Sequence, residues 1–318
     1  MDRTKGYTLI IIAAVLFSTT EIALKILGGA FSPMQLTCER AILGAIVLMP
    51  AFFSEMRKKR ISFEKEDILF FLKLGLLSVL LTSTILQLSL QRVDASAVSS
   101  IYSSNPVFAL LFSFLILHDP MKKNHVIAIC LEIIGIIVMI NPMNLEIDVI
   151  GFAEAVLSTL LFSLYCVLSK LRMDRFSSIV ISTMSNLFGG IEMLLILLFG
   201  KTSFGAAFFS HIGLDVFVDV SLTAGFSWKS ALILLYLSTF VVGYGAVMML
   251  KIMQYTSATE ASFIYLLKPI IATILGVIVL QDRISASRII GIGFFVIASL
   301  YVIIPVLQES FKKTGQRG

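Results

Sequence analysis

Residues 95–119 read ASAVSSIYSSNPVFALLFSFLILHD, and residues 258–282 read ATEASFIYLLKPIIATILGVIVLQD. At a constant offset of 163, Ala95, Ser99, Ile101, Tyr102, Pro106, Ala109, Leu117 and Asp119 meet the same residue type. Each copy is apolar and long enough to cross a bilayer as a helix, and each carries a proline near its centre. Proline supplies no N–H, and hydrocarbon offers no substitute partner for the carbonyl left over. Pro106 and Pro269 are therefore predicted helix breaks. Paired interruptions in the two halves of a membrane protein point to the binding site of a carrier.

The rest of the chain agrees with that environment. It is 58% apolar and 14% charged, against about 45–50% and about 25% in soluble proteins. The apolar residues fall into ten runs, roughly 6–27, 33–53, 67–90, 95–117, 124–140, 151–170, 178–199, 229–253, 258–280 and 286–305. The net charge of +5 comes from short connectors such as Arg57-Lys58-Lys59-Arg60, so it speaks of orientation in a lipid bilayer rather than of nucleic acid. Cys38, Cys130 and Cys166 lie inside apolar runs without metal or redox spacing, and the histidines form no metal box. No cofactor is expected.

A second repeat links the first helices of the two halves. Gly6, Leu16-Phe17-Ser18 and Lys25 recur as Gly151, Leu161-Phe162-Ser163 and Lys170, at an offset of 145. The difference between the two offsets fits the long connector at 200–228, for which a short amphipathic surface helix and a loop are equal expectations. The expected fold is an all-α integral membrane protein of ten transmembrane helices. Residues 1–145 form one five-helix unit and residues 146–318 the other. Because five is odd, the second unit enters the membrane inverted. Lysine and arginine placement favours both termini in the cytoplasm, with 16 on that side and 5 on the other.

The doubled pattern resembles the drug/metabolite transporter superfamily, and within it the EamA family of ten-helix carriers. The features carrying the resemblance are LFS followed by lysine in each first helix, Arg40, proline then an acidic residue 13 positions later, and Gly135 and Gly291. The family has tryptophan-glycine where this chain has Ser18-Thr19, and glutamate where it has Asp119 and Asp282. The resemblance implies a cell-membrane carrier without cofactor or ATP. Its central cavity would be lined by the first, third and fourth helices of each half, and export of amino acids or other small metabolites is its commonest task. Import of an anionic metabolite is the alternative. An intramembrane enzyme is disfavoured, since no nucleophile or metal motif is found.

Several side chains are candidates for the work. Lys268 sits mid-span before Pro269, where a charge costs about 2.5–3.5 kcal/mol on insertion scales, so it should face a cavity or a partner. Its repeat mate is Asn105. The two would hold a carboxylate or phosphate of the substrate, unless Lys268 forms a structural pair with Glu132 or Glu21. Tyr102 and Tyr265 lie one turn before the prolines. Ser99 and Ser103 give the first copy a polar face, and Tyr244 stands in the Gly243-Tyr244-Gly245 joint. Glu21 and Glu132 are candidates for proton coupling. Arg40 would bind substrate or pair with Glu21, the pair being favoured, and Lys25 would pair with Glu21 or reach water. Oligomeric state is not readable.

Overall fold

The computed structural model describes residues 3–27, 29–59, 62–118, 121, 123–140, 148–245, 248, 263–282 and 284–315. All regular structure among them is helical. In chain order the helices are α1 (Arg3–Ser18), α2 (Thr20–Leu27), α3 (Pro33–Lys59), α4 (Lys65–Gly75), α5 (Thr84–Arg92), α6 (Ala95–Tyr102), α7 (Asn105–Leu117), α8 (Lys123–Ile140), α9 (Val149–Lys170), α10 (Ser178–Gly200), α11 (Ser203–His211), α12 (Trp228–Tyr236), α13 (Phe263–Leu275) and α14 (Ala286–Gly315). Three π-helical segments continue these elements. Leu76–Ser83 joins α4 to α5, Leu237–Tyr244 extends α12, and Gly276–Leu280 extends α13.

Among the described residues, six stretches are long and apolar enough to cross a membrane: Thr8–Leu27, Pro33–Lys59, Lys65–Arg92, Ala95–Leu117, Val149–Lys170 and Ser178–Gly200. Trp228–Tyr244, Leu267–Leu280 and Ala286–Ala298 are shorter apolar helices. The outer faces of these helices leave Leu195, Ile278 and Ile289 exposed, and that of α8 leaves Ile133 and Ile137 exposed, as lipid contact favours.

Helices of the two halves pack in matched pairs. The second helices, α3 and α10, form one close contact, and the fifth helices, α8 and α14, form another. The first helix α1 lies on α13, and α9 lies on α7. Small residues set these distances. A Cβ on Gly75 would lie 2.5 Å from the backbone nitrogen of Gly189, so α4 and α10 touch backbone to backbone. Gly135 and Gly291 meet in the same way, a Cβ on Gly291 falling 2.9 Å from the Gly135 carbonyl.

The two proline helices differ. The first breaks: α6 ends at Tyr102, Ser103 and Ser104 form a turn, and Pro106 sits in the first turn of α7, where a missing N–H costs nothing. The second does not break, for Pro269 lies inside α13. The expected break at Pro269 is thus corrected to a continuous helix, wedged between α1 and α14. Packing holds the segment helical although one backbone bond is missing. Both helices end alike. His118 (φ 56°) and Gln281 (φ 57°), mates at the same offset, take the left-handed conformation. Each precedes the recurring aspartate. Asp282 accepts a hydrogen bond from Ser96 Oγ at 2.7 Å, while Asp119 lies outside the described residues.

Charged clusters close the two ends of the bundle. At one, the buried Asp67 carboxylate is held by Arg172 and Arg175, both at 3.1 Å. At the other, Arg92 pairs with Asp148 at 3.3 Å and Asp94 with Lys25 at 3.7 Å and with Arg288. Lys25 also donates to the Val93 carbonyl at 2.8 Å, so it pairs across helices and not with Glu21. The connector 200–228 contains the short helix α11, with Phe204 and Phe208 exposed and Phe209 buried.

Candidate functional site

The Leu-Phe-Ser repeat explains how the middle of the bundle is assembled. Ser18 donates its hydroxyl to the Ala14 carbonyl at 2.6 Å and lies 3.2 Å from the Lys268 carbonyl. Ser163 does the same in the other half, bonding the Thr159 carbonyl at 2.8 Å and reaching the Asn105 carbonyl at 3.1 Å. Each serine of one half therefore clasps the residue before proline in the other half. Each neighbouring phenylalanine, Phe17 and Phe162, then faces a common space.

That space is a cavity of about 330 Å³. The first half contributes Phe17, Thr20 and Glu21, Thr37 and Arg40, the π-helical Ser78, Thr82 and Ser83, and Tyr102. The second half contributes Phe162 and Tyr165, Ser182 and Asn186, the π-helical Val241, then Gly245 and Lys268. Two of the three π-helical segments thus bend a third helix of each half onto the cavity. Such segments recur at functional sites because they re-aim side chains without ending the helix.

Lys268 and Glu21 form a buried pair, Nζ to Oε1, at 2.7 Å. The Lys268 ammonium also stands 5.0 Å from the centre of the Tyr102 ring. Tyr102, Phe162 and Tyr165 make an aromatic row with ring centres 5.2 and 5.9 Å apart. Arg40 lines the cavity beside Tyr102 and Glu21. Its guanidinium makes no hydrogen bond or ion pair with a described residue. The expected roles of the two cations are therefore exchanged. Lys268 has a structural partner, and Arg40, expected to hold Glu21, is left facing the cavity.

Other expected site residues lie elsewhere. Asn105 is buried and donates its amide to Ser163 Oγ at 2.8 Å, so it ties helices together and does not line the cavity. Ser103 bonds back to the Ser99 carbonyl at 2.8 Å, and Ser99 is fully buried without a partner. A serine on a helix can satisfy itself on the preceding turn, and the expected polar face is lost in this way. Tyr244 is 57% exposed and stacks on Phe240 on the outer surface. Its glycine neighbours are what matter inside. A Cβ on Gly243 would lie 2.8 Å from Val47, and one on Gly245 would lie 2.7 Å from Phe17. Glu132 is fully buried on α8, away from the cavity, with neither oxygen bonded. The side chains of Tyr265 and Pro106 lie outside the described residues.

Sequence reading missed Ser78, Thr82, Ser83, Tyr165, Ser182 and Asn186. Polar interruptions in the third and seventh runs were the only signal for five of them, and Tyr165, in the sixth run, had none.

The pattern of the EamA-like transporter family matches this chain twice, over residues 4–141 and 149–304. An "Uncharacterized transporter" of Clostridium kluyveri is 30% identical over 304 residues, covering 93% of this chain and 92% of the relative. Protein PecM of Dickeya dadantii is 23% identical, covering 72% of this chain and 71% of that protein. A crystal structure at 17% identity superposes with a TM-score of 0.63 over 95% of this chain and 98% of its own, which shows a shared fold.

Proposed function

The chain belongs to the EamA-like transporter family, and from that premise we propose a secondary-active carrier that exports a small amphipathic metabolite, such as an amino acid or related compound, by alternating access. Ten helices in two oppositely inserted five-helix halves surround the cavity, with both termini in the cytoplasm of a cell-membrane protein. The observation that carries this reading is the pair of serine clasps. Ser18 on Lys268 and Ser163 on Asn105 are reciprocal under exchange of the halves. A two-fold relation across a shared cavity has that consequence, and it lets the halves rock about one site. Phe17, Tyr102 and Phe162 offer the solute an apolar wall, and Thr37, Ser182 and Asn186 a polar one.

Glu21 is the proposed proton carrier. Its Oε2 has no partner while Oε1 holds Lys268, so protonation would release the lysine. The test is flux into proteoliposomes of the purified full chain, using a panel of amino acids and organic acids under an imposed pH gradient. Solute-dependent flux that collapses with the gradient is expected. Folded protein that moves no member of the panel in either direction overturns the reading.

A further inference from the structure

The cavity wall carries three charged side chains, Glu21, Arg40 and Lys268. Glu21 and Lys268 neutralise each other at 2.7 Å. Arg40 is the remainder, and it gives the described lining of the cavity a net positive charge. Its side chain is partly buried on α3, and its nitrogens are open to the cavity. The adjacent Glu39 does not compensate it, since Glu39 accepts from Gln35 at 2.9 Å and does not line the cavity.

We propose that Arg40 is the recognition point for the transported molecule, and that this molecule is a carboxylate on a flat apolar or aromatic body. This rests on the carrier reading above. A guanidinium presents parallel N–H donors that match the two oxygens of a carboxylate. On a cavity wall, a donor set of this kind favours an anion over a neutral or cationic ligand. The aromatic row of Tyr102, Phe162 and Tyr165 supplies a face for the rest of the molecule. The cavity volume of about 330 Å³ suits a single small ring system. An amino acid brings the same carboxylate, but its ammonium needs a free acid. Glu21, the cavity's one acid among the described residues, is already paired with Lys268. A carboxylic acid without the amine is therefore the better ligand.

Thermal unfolding of the purified full chain tests this with four probes of one size: 3-phenylpropionate, 3-phenylpropionamide, 3-phenylpropylamine and phenylalanine. 3-Phenylpropionate should raise the midpoint most, the effect should vanish in Arg40→Gln, and Arg40→Lys should keep a weakened response. The unsubstituted protein gives a second reading through phenylglyoxal labelling followed by mass spectrometry. Arg40 should label, and 3-phenylpropionate should slow that labelling at least severalfold while leaving Arg172 and Arg175 unchanged. Equal or greater stabilisation by the amide or the amine overturns the proposal. So does an Arg40→Gln protein that responds as the parent does, or the absence of any carboxylate effect in both assays. Flux separates the two claims. A protein that moves neutral or cationic solutes and ignores carboxylates removes this proposal and leaves the carrier standing. One that binds 3-phenylpropionate and moves nothing does the reverse.

Discussion

Residues 105 and 268 do the same thing with their backbones and different things with their side chains. Each carbonyl meets a serine from the other half, Ser163 or Ser18. The Asn105 amide then spends itself on that same serine, whereas the Lys268 ammonium crosses to Glu21. The helix around Asn105 breaks at Ser103 and Ser104, and the helix around Lys268 runs on through Pro269. The backbone clasp is common to both places and the side chains are not: Asn105 ties two helices together, and Lys268 holds the Glu21 carboxylate.

The sharpest way to break this contrast is at the charged element. Lys268→Met leaves Glu21 buried without a counter-charge and should lower stability by about 3–5 kcal/mol. The double variant Glu21→Leu with Lys268→Met should recover most of that loss, measured by chemical unfolding in detergent. Recovery would show that the pair acts as a unit. Additive losses would place the Lys268 contribution elsewhere.

The two serines provide the next comparison. Ser163→Ala strands the buried Asn105 amide and should cost about 1–3 kcal/mol. Ser18→Ala removes a 2.6 Å bond to the Ala14 carbonyl and a 3.2 Å contact to the Lys268 carbonyl and strands no side-chain amide, so about 0.5–1.5 kcal/mol is expected. The reverse order would contradict the assignment of Asn105 as the joint.

Interfaces between the halves are tested by their glycines. Gly189→Ala would put a Cβ 2.6 Å from the Gly75 carbonyl, and overpacking of this kind costs about 1–3 kcal/mol. Gly293→Ala is the matched control, because a Cβ there meets nothing within 4 Å. It should be neutral or slightly stabilising in its helix.

The smallest effect lies at the start of α9. Asp148 accepts the Gly151 N–H at 2.9 Å, and this bond, with Arg92 assisting, holds its carboxyl below the ordinary carboxylate value. The residue at the matching offset in the first half is Arg3, which has no acceptor to cap in this way. A lowered folded-state pKa means that the cap contributes fully above the ordinary value of about 3.9 and is lost as pH falls through the lower one. Protection of the amides at 148–155, measured against the intrinsic exchange rate at each pH, should therefore fall on acidification. Asp148→Ala should abolish that dependence.

The membrane class and the family were readable from the residue string, because they rest on apolar periodicity and repeated motifs, and residues 21, 40 and 268 stood out as charges set in apolar runs. The partners were not readable. Whether Lys268 or Arg40 takes Glu21 depends on helix rotation, which a repeat offset does not specify. Ser103 misled because a hydroxyl count does not reveal back-bonding to the preceding turn, and Ser99 because its hydroxyl is buried away from the cavity. Pro269 misled because neighbouring helices can hold a proline inside a continuous helix. The π-helical segments escaped notice because one extra residue per turn leaves no compositional mark.

The proposed inversion of the two halves is tested most directly by labelling a matched pair of connector positions. Gly29 and Asp174 are exposed and separated by the first-helix offset of 145. Each would be changed to cysteine in a background lacking Cys38, Cys130 and Cys166, then treated in intact cells with a membrane-impermeant maleimide. Labelling of Gly29→Cys from outside, with Asp174→Cys reacting only after permeabilisation, is the predicted result. Reaction of both from the same side would contradict it.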